Sequence, residues 1–237
     1  MSGHSKWATI KHKKAALDSK RGKVFTKLLK EITVVARDGG GDPAANPRLR
    51  TLVEKARRVN MPHDNLQRAI KKGTGELPGQ TYEEQNYEGY GPGGIAVIID
   101  VLTDNKNRAV ADLRHVFSRH GGRLGETGSV GWMFEFVGVI RVPSAKLNED
   151  QLMEMLLEYP VDDIADEQEV FAITMESKAL DKVRQVLQEH AIEIKSADLE
   201  WVPKNRTPLE ATEEEKALEF LNALDELDDV QNIYSNL

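Results

Sequence analysis

Apolar residues recur at the helical period across residues 23–37. Phe25, Leu28, Leu29, Ile32, Val35 and Ala36 share one face, while Lys23, Lys27, Lys30 and Arg37 point elsewhere. Asp38 and the glycines at 39–41 stop this helix. Leu49, Leu52, Val53, Ala56 and Val59 predict a second helix that opens at Asn46 with Pro47 in its first turn. Pro62 starts a third, with Leu66, Ala69 and Ile70 inward and Gly73 and Gly75 as its stop. After a glycine-rich boundary at 73–80 the period changes. Residues 81–90 and the apolar run Ile95–Leu102 read as strands around the turn Gly91-Pro92-Gly93-Gly94. Asn105 caps a helix with Ala109, Leu113, Val116 and Phe117 inward, and a further strand is expected near Ser129.

From 134 to 202 the pattern reads strand, helix, strand, strand, helix, strand: 134–142, 149–158, 161–165, 170–175, 180–189 and 192–202. That is the ferredoxin-like order. Thr212 and Glu215 form a capping box for a last helix with Ala217, Leu218, Leu221, Leu224 and Leu227 as its stripe. This helix is expected to return and cover the central sheet, and residues 228–237 to have little to pack. The fold class is α+β with three domains, a small helical one and two α/β sandwich domains, the inserted one ferredoxin-like. The boundaries are 1–78, 79–132 with 204–237, and 133–203.

The chain has 237 residues, 40% of them hydrophobic, and no cysteine, which excludes disulfides, thiolate metal sites and cysteine nucleophiles. No apolar run is long enough for a membrane helix, and the basic start lacks the apolar stretch of a secretory signal, so a cytoplasmic protein without membrane contact is expected. The net charge of -7 conceals a separation. Residues 1–72 hold 18 Lys or Arg against 6 Asp or Glu, while residues 73–237 hold 14 against 33. A basic segment attracts polyanions through phosphate contacts. The bland alternative is that the two parts neutralise each other within the fold.

The candidate phosphate contacts are Lys11, Lys13, Lys14, Lys20, Arg21, Lys23 and Lys27, then Arg48, Arg50, Arg57, Arg58, Arg68, Lys71 and Lys72. Trp7 and His12 are candidates for stacking on a base or ribose. Arg108 and Arg123 are considered as a second basic surface. Trp132, Met133, Phe134 and Phe136 read mainly as core or junction residues. No glycine cluster lies between a strand and a helix with a following Gly-Lys-Ser/Thr, the histidines lack metal-ligand spacing, and no nucleophile, base and oxyanion donor come together. No catalytic residue, metal site or cofactor is expected.

Specific motifs run through this chain. They are Gly3-His4-Ser5-Lys6-Trp7, Ile10-Lys11-His12-Lys13-Lys14, Arg21-Gly22-Lys23, Phe25-Thr26-Lys27-Leu28, Gly39-Gly40, Asn46-Pro47-Arg48-Leu49-Arg50 and Ala56-Arg57 through Asn60-Met61-Pro62. Asn65 through Gly73, Tyr87 through Gly94, Thr103 through Arg108, Gly128-Ser129-Val130 and Phe134 continue them. Together they resemble the YebC family, which includes the mitochondrial translational activator of cytochrome oxidase subunit one. The resemblance spans essentially the whole chain. It implies a helical amino-terminal domain, two α/β domains and no enzyme activity. It also implies a DNA-binding transcriptional regulator or, alternatively, a ribosome-associated translation factor that binds ribosomal RNA and relieves stalling. Charge alone does not separate DNA from ribosomal RNA. A protein-interaction scaffold and a small-molecule enzyme with a site beside Arg108 and Arg123 are the other classes weighed.

Overall fold

The structure is a computed structural model that describes Trp7, residues 21–167 and residues 169–237. Helices α1 (Arg21–Gly39), α2 (Pro47–Arg58) and α3 (His63–Gly73) form a basic head. Leu28, Ile32, Val35 and Ala36 of α1 pack against Leu49, Leu52, Val53 and Ala56 of α2 and Leu66, Ala69 and Ile70 of α3. Asn46 fixes the α1–α2 corner: its Oδ1 accepts from the Leu49 amide at 3.1 Å, and its Nδ2 donates to the Val35 and Gly40 carbonyls at 3.1 and 2.9 Å. Gly73 lies so close to α1 that a Cβ there would overlap the Thr33 carbonyl and the Ala36 side chain.

The rest of the chain is β1 (Glu83–Tyr90), β2 (Ala96–Thr103), α4 (Lys106–Arg119), β3 (Arg123–Leu124), β4 (Phe134–Pro143), α5 (Glu149–Leu156), β5 (Val161–Asp166), β6 (Val170–Met175), α6 (Leu180–Glu189), β7 (Ser196–Pro203), α7 (Ala211–Asp225) and β8 (Val230–Ser235). Two antiparallel sheets result, ordered β3-β1-β2-β8 and β5-β6-β4-β7. The chain is therefore α+β. Strand β2 is apolar at all its positions but Asp100 and Thr103 because both of its faces are covered. Val97, Ile99 and Val101 meet Leu113 and Phe117 of α4 and Phe220, Leu221 and Leu224 of α7. Ala96 and Ile98 meet Val130 and Phe134 on the opposite face. Helix α7 does cover the first sheet, as expected. Among the described residues no helix is long and apolar enough to cross a membrane.

The structure corrects four local expectations. Residues 228–237 do pack: β8 pairs with β2, with Ile233 opposite Ile99 and Ser235 opposite Val97. Its partner lies more than a hundred residues earlier, so no local pattern announces it. Ser129 is not in a strand. The loop around it turns its amides onto the Glu88 carboxylate, which accepts from Gly128, Val130 and Gly131 at 2.8, 2.7 and 2.8 Å. Thr212 caps nothing, because α7 begins at Ala211 with Glu210 in the cap position and no side-chain cap bond. The strand expected from Ile192 starts at Ser196.

Arg141 is 1% exposed on β4. It donates from Nε to Glu167 at 3.0 Å and from both terminal nitrogens to Glu200 at 2.6 and 3.0 Å. Burial opposes its charge, but the two carboxylates outweigh it and raise its pKa. Arg141→Leu would leave Glu167 buried without this cation. The expected loss is about 3–5 kcal/mol in chemical denaturation, and a loss below about 1 kcal/mol would show that the triad is structurally idle.

Candidate nucleic-acid interface

The structure divides the basic residues into cations spent inside the fold and cations left on the surface. Lys23, Lys27 and Lys30 lie along one side of α1, at the spacing that brings helical neighbours together. All three reach the carboxyl end of α7 and the acidic turn after it. Lys23 binds the Glu226 carboxylate and donates to its carbonyl at 2.8 Å. Lys27 donates to the Asp225 carbonyl at 3.1 Å and its carboxylate at 2.9 Å. Lys30 donates to the Asp228 carbonyl at 2.9 Å and the Asp229 carboxylate at 2.6 Å. A helix end carries partial negative charge and unsatisfied carbonyls, and the last turn of α7 has no basic residue of its own. Helix α1 supplies those cations from outside.

Asp229 is the hub of this contact. It also accepts from Arg108 at 2.7 Å and from the Thr103 hydroxyl at 2.9 Å. Burial pushes its carboxyl up, but the hydrogen bonds from Lys30, Arg108 and Thr103 prevail and hold it below the usual range. Arg108 is thus committed to Asp229 and Asp104. Arg123 is exposed on β3, beyond the far end of the 14-residue helix α4 that begins beside Arg108. About 17 Å of helix lies between them, so these two arginines do not make one basic surface.

Other head residues meet the second sheet. Arg58 donates to the Ile194 and Lys195 carbonyls at 3.1 and 2.9 Å, and Lys55 pairs with Asp198 at 3.2 Å. Arg50, Lys55 and Arg58 line a cleft of about 470 Å³ against Arg184 and Lys195. Arg48 lies 3.6 Å from Glu84 with both side chains largely exposed, a weak pair. Arg50, Arg57, Arg68, Lys71 and Lys72 are exposed and make no ion pair among the described residues. They lie on α2 and α3. Lys11, His12, Lys13, Lys14 and Lys20 lie outside the described residues, and Arg21 opens α1. Trp7 is 2% exposed within the core cluster of the first sheet, so its ring is packing rather than presented for stacking. Trp132 and Phe136 depart from the core reading in the other direction, at 69% and 48% exposed, whereas Phe134 is buried.

Comparison with known proteins bears on what this arrangement serves. The TACO1/YebC N-terminal domain matches residues 5–76, and the TACO1/YebC second and third domain matches residues 82–237. The chain belongs to the TACO1/YebC family. A relative in Chlorobaculum tepidum, called a probable transcriptional regulatory protein, is 55% identical across 100% of this chain and 95% of its own length. One of the same description in Desulfosudis oleivorans is 51% identical across 100% and 96%. The crystal structure of a conserved hypothetical protein from Aquifex aeolicus superposes with a TM-score of 0.89 at 45% identity, covering 98% of this chain and 96% of that one.

Lys55 was not among the candidates drawn from charge, yet it links this TACO1/YebC head to β7. The carboxylates Asp225, Glu226, Asp228 and Asp229 are the sequence signal that could have pointed to the lysine contact, but they stand among many others in the acidic part of the chain. Lys27→Ala combined with Lys30→Ala should loosen the head. The expected result is faster protease cleavage within residues 74–81, and unchanged cleavage would show that the contact does not hold the head in place.

Glu31 gives a pH signature. Burial raises its carboxyl pKa, with Asp198 and Glu84 reinforcing the shift and Lys55 and Arg48 opposing it. A carboxyl raised in the fold costs stability as pH climbs through the window above the unfolded value of about 4.3. Glu31→Gln should therefore raise the urea midpoint at pH 7, with the gain fading below that unfolded value. A lower midpoint at pH 7 would contradict a net cost of burying this carboxylate.

Proposed function

We propose that the chain is a non-enzymatic, nucleic-acid-binding regulator of gene expression, acting as a DNA-binding transcriptional regulator in the cytoplasm. One observation carries the reading: Arg50, Arg57, Arg68, Lys71 and Lys72 remain exposed on α2 and α3 after the fold has used the neighbouring lysines internally. Phosphate oxygens need long, uncommitted cations, and an arginine grips two oxygens at once. Lys11, Lys13 and Lys14, which precede α1 in the sequence and lie outside the described residues, belong to the same proposed footprint. The names of the relatives support transcription as the process.

The distribution of these cations over two helices, rather than along one groove-reading helix, favours a second reading. Folded ribosomal RNA presents phosphates over a broad surface, and a ribosome-associated translation factor would use the same footprint. Under either reading the three-domain division is 1–78, 79–132 with 204–237, and 133–203. The strand order β5-β6-β4-β7 supports a ferredoxin-like assignment for the inserted unit.

Replacing Arg57, Arg68, Lys71 and Lys72 together by Ala should weaken nucleic-acid binding while leaving the thermal midpoint nearly unchanged. The slope of log affinity against log salt should flatten by about 0.9 for each duplex phosphate that is no longer neutralised, or about 0.7 for single strands. Salt titrations on duplex DNA and on ribosomal RNA measure both. An unchanged slope on both would remove the head from the interface.

A further inference from the structure

The outer face of α5 and the edge of the second sheet have the opposite character to the head. Residues 147–177 contain ten carboxylates and no Lys, Arg or His. Within this stretch Met153 and Leu157 are 49% and 82% exposed. They are four residues apart, so their side chains adjoin on one helical face. Glu149 extends that row, and Asp150, Glu154 and Glu158 form the row beside it. These four carboxylates are exposed and make no ion pair among the described residues. Strand β5 is the outer strand of its sheet, and the exposed Asp162 lies on it.

Packing does not account for this arrangement. Helix α5 is held to the sheet by Leu152 and Leu156, which are buried, while Met153 and Leu157 point away from that core. Glu154 sits in the last turn of the helix and Glu158 two residues beyond its end, where the dipole disfavours negative charge, and the last turn has no cation to offset them. The contrast with α7 is informative: its acidic end pairs with three lysines of α1, whereas Glu154 and Glu158 make no ion pair among the described residues and the nearby Lys182 lies over the Tyr159 ring at 5.2 Å. An apolar pair framed by uncompensated carboxylates is complementary to a segment with an apolar stripe and flanking cations.

We propose that the outer face of α5 together with the turn after it, from Glu149 to Glu158, is a docking site for a Lys/Arg-rich amphipathic segment of a partner protein. Met153 and Leu157 receive its apolar residues, and Asp150, Glu154 and Glu158 face its cations. Like charge excludes nucleic acid from this face, so one molecule can hold a polyanion at its head and a basic protein at the opposite kind of surface. The inference stands on residues that the proposed nucleic-acid footprint does not use.

The test titrates three probes into the full chain while following backbone amide shifts. They are a lysine–leucine peptide with its leucines at the helical period, a scrambled peptide of the same composition, and oligolysine. Shifts confined to α5 and β5, with the patterned peptide binding about tenfold tighter than the scrambled one, are expected. Met153→Gln with Leu157→Gln should abolish that preference, and Glu154→Gln with Glu158→Gln should weaken all three probes. Both pairs are exposed, so an unchanged thermal midpoint checks the fold. Equal affinity for the patterned and scrambled peptides would overturn the proposal, as would shifts centred elsewhere or a preference that survives removal of Met153 and Leu157. Shifts on α5 induced by an oligonucleotide would also overturn it, whereas loss of nucleic-acid binding at the head would leave it untouched.

Discussion

Three lysines on one side of α1 meet the acidic end of α7, and the placement of the helical head depends on that contact. Each makes a bond to a carboxylate and another to a main-chain carbonyl of residues 225–228. The Asp225 and Glu226 carbonyls are those a helix end cannot satisfy by itself, and the carboxylates would repel one another without a cation between them. Lys27 and Lys30 have side chains only 17% and 11% exposed, so salt screens these pairs less than it would surface pairs. The contact joins residues about two hundred positions apart and ties Asp229 to Thr103 and Arg108 at the end of the first sheet.

This contact changes the meaning of the charge separation. A basic amino-terminal third and an acidic remainder suggest a head that offers all its cations to a polyanion. Part of that charge instead neutralises the body, as Lys23, Lys27, Lys30 and Lys55 show, and Arg58 is held by main-chain carbonyls. The remaining surface charge is concentrated on α2 and α3. The buried Arg141 triad follows the same rule in the second sheet, where two carboxylates hold one guanidinium that the interior would otherwise reject. Among the described residues, exposed cations without an ion pair include Arg50, Arg57, Arg68, Lys71 and Lys72 on α2 and α3, while the outer face of α5 carries exposed carboxylates.

The helices were legible because each has a clear period and stop, such as the Leu49–Ala56 stripe after Asn46-Pro47. Strand β2 and the 134–203 alternation of elements were legible for similar local reasons. Strand β8 was not, since Val230–Ser235 is short and is stabilised by β2 across the length of the chain. The loop at Ser129 was misread because its amides serve a carboxylate from another strand. At the candidate interface, Arg57, Arg68, Lys71 and Lys72 are exposed, off the apolar stripes of α2 and α3. Trp7 did not, because a lone aromatic in a polar segment gives no sign of the distant core it enters.

The amino-acid sequence by itself determined the sign and segregation of charge, the periodicity of the helices, the family and the exclusion of thiol chemistry. These are properties of composition and of neighbours within a few residues. Tertiary structure alone decided which cations are free, because an ion pair depends on groups brought together from remote parts of the chain. It also decided that Met153 and Leu157 stay outside while Leu152 and Leu156 go in. The four leucine and methionine side chains are chemically alike, and only the position of the sheet beneath α5 distinguishes them.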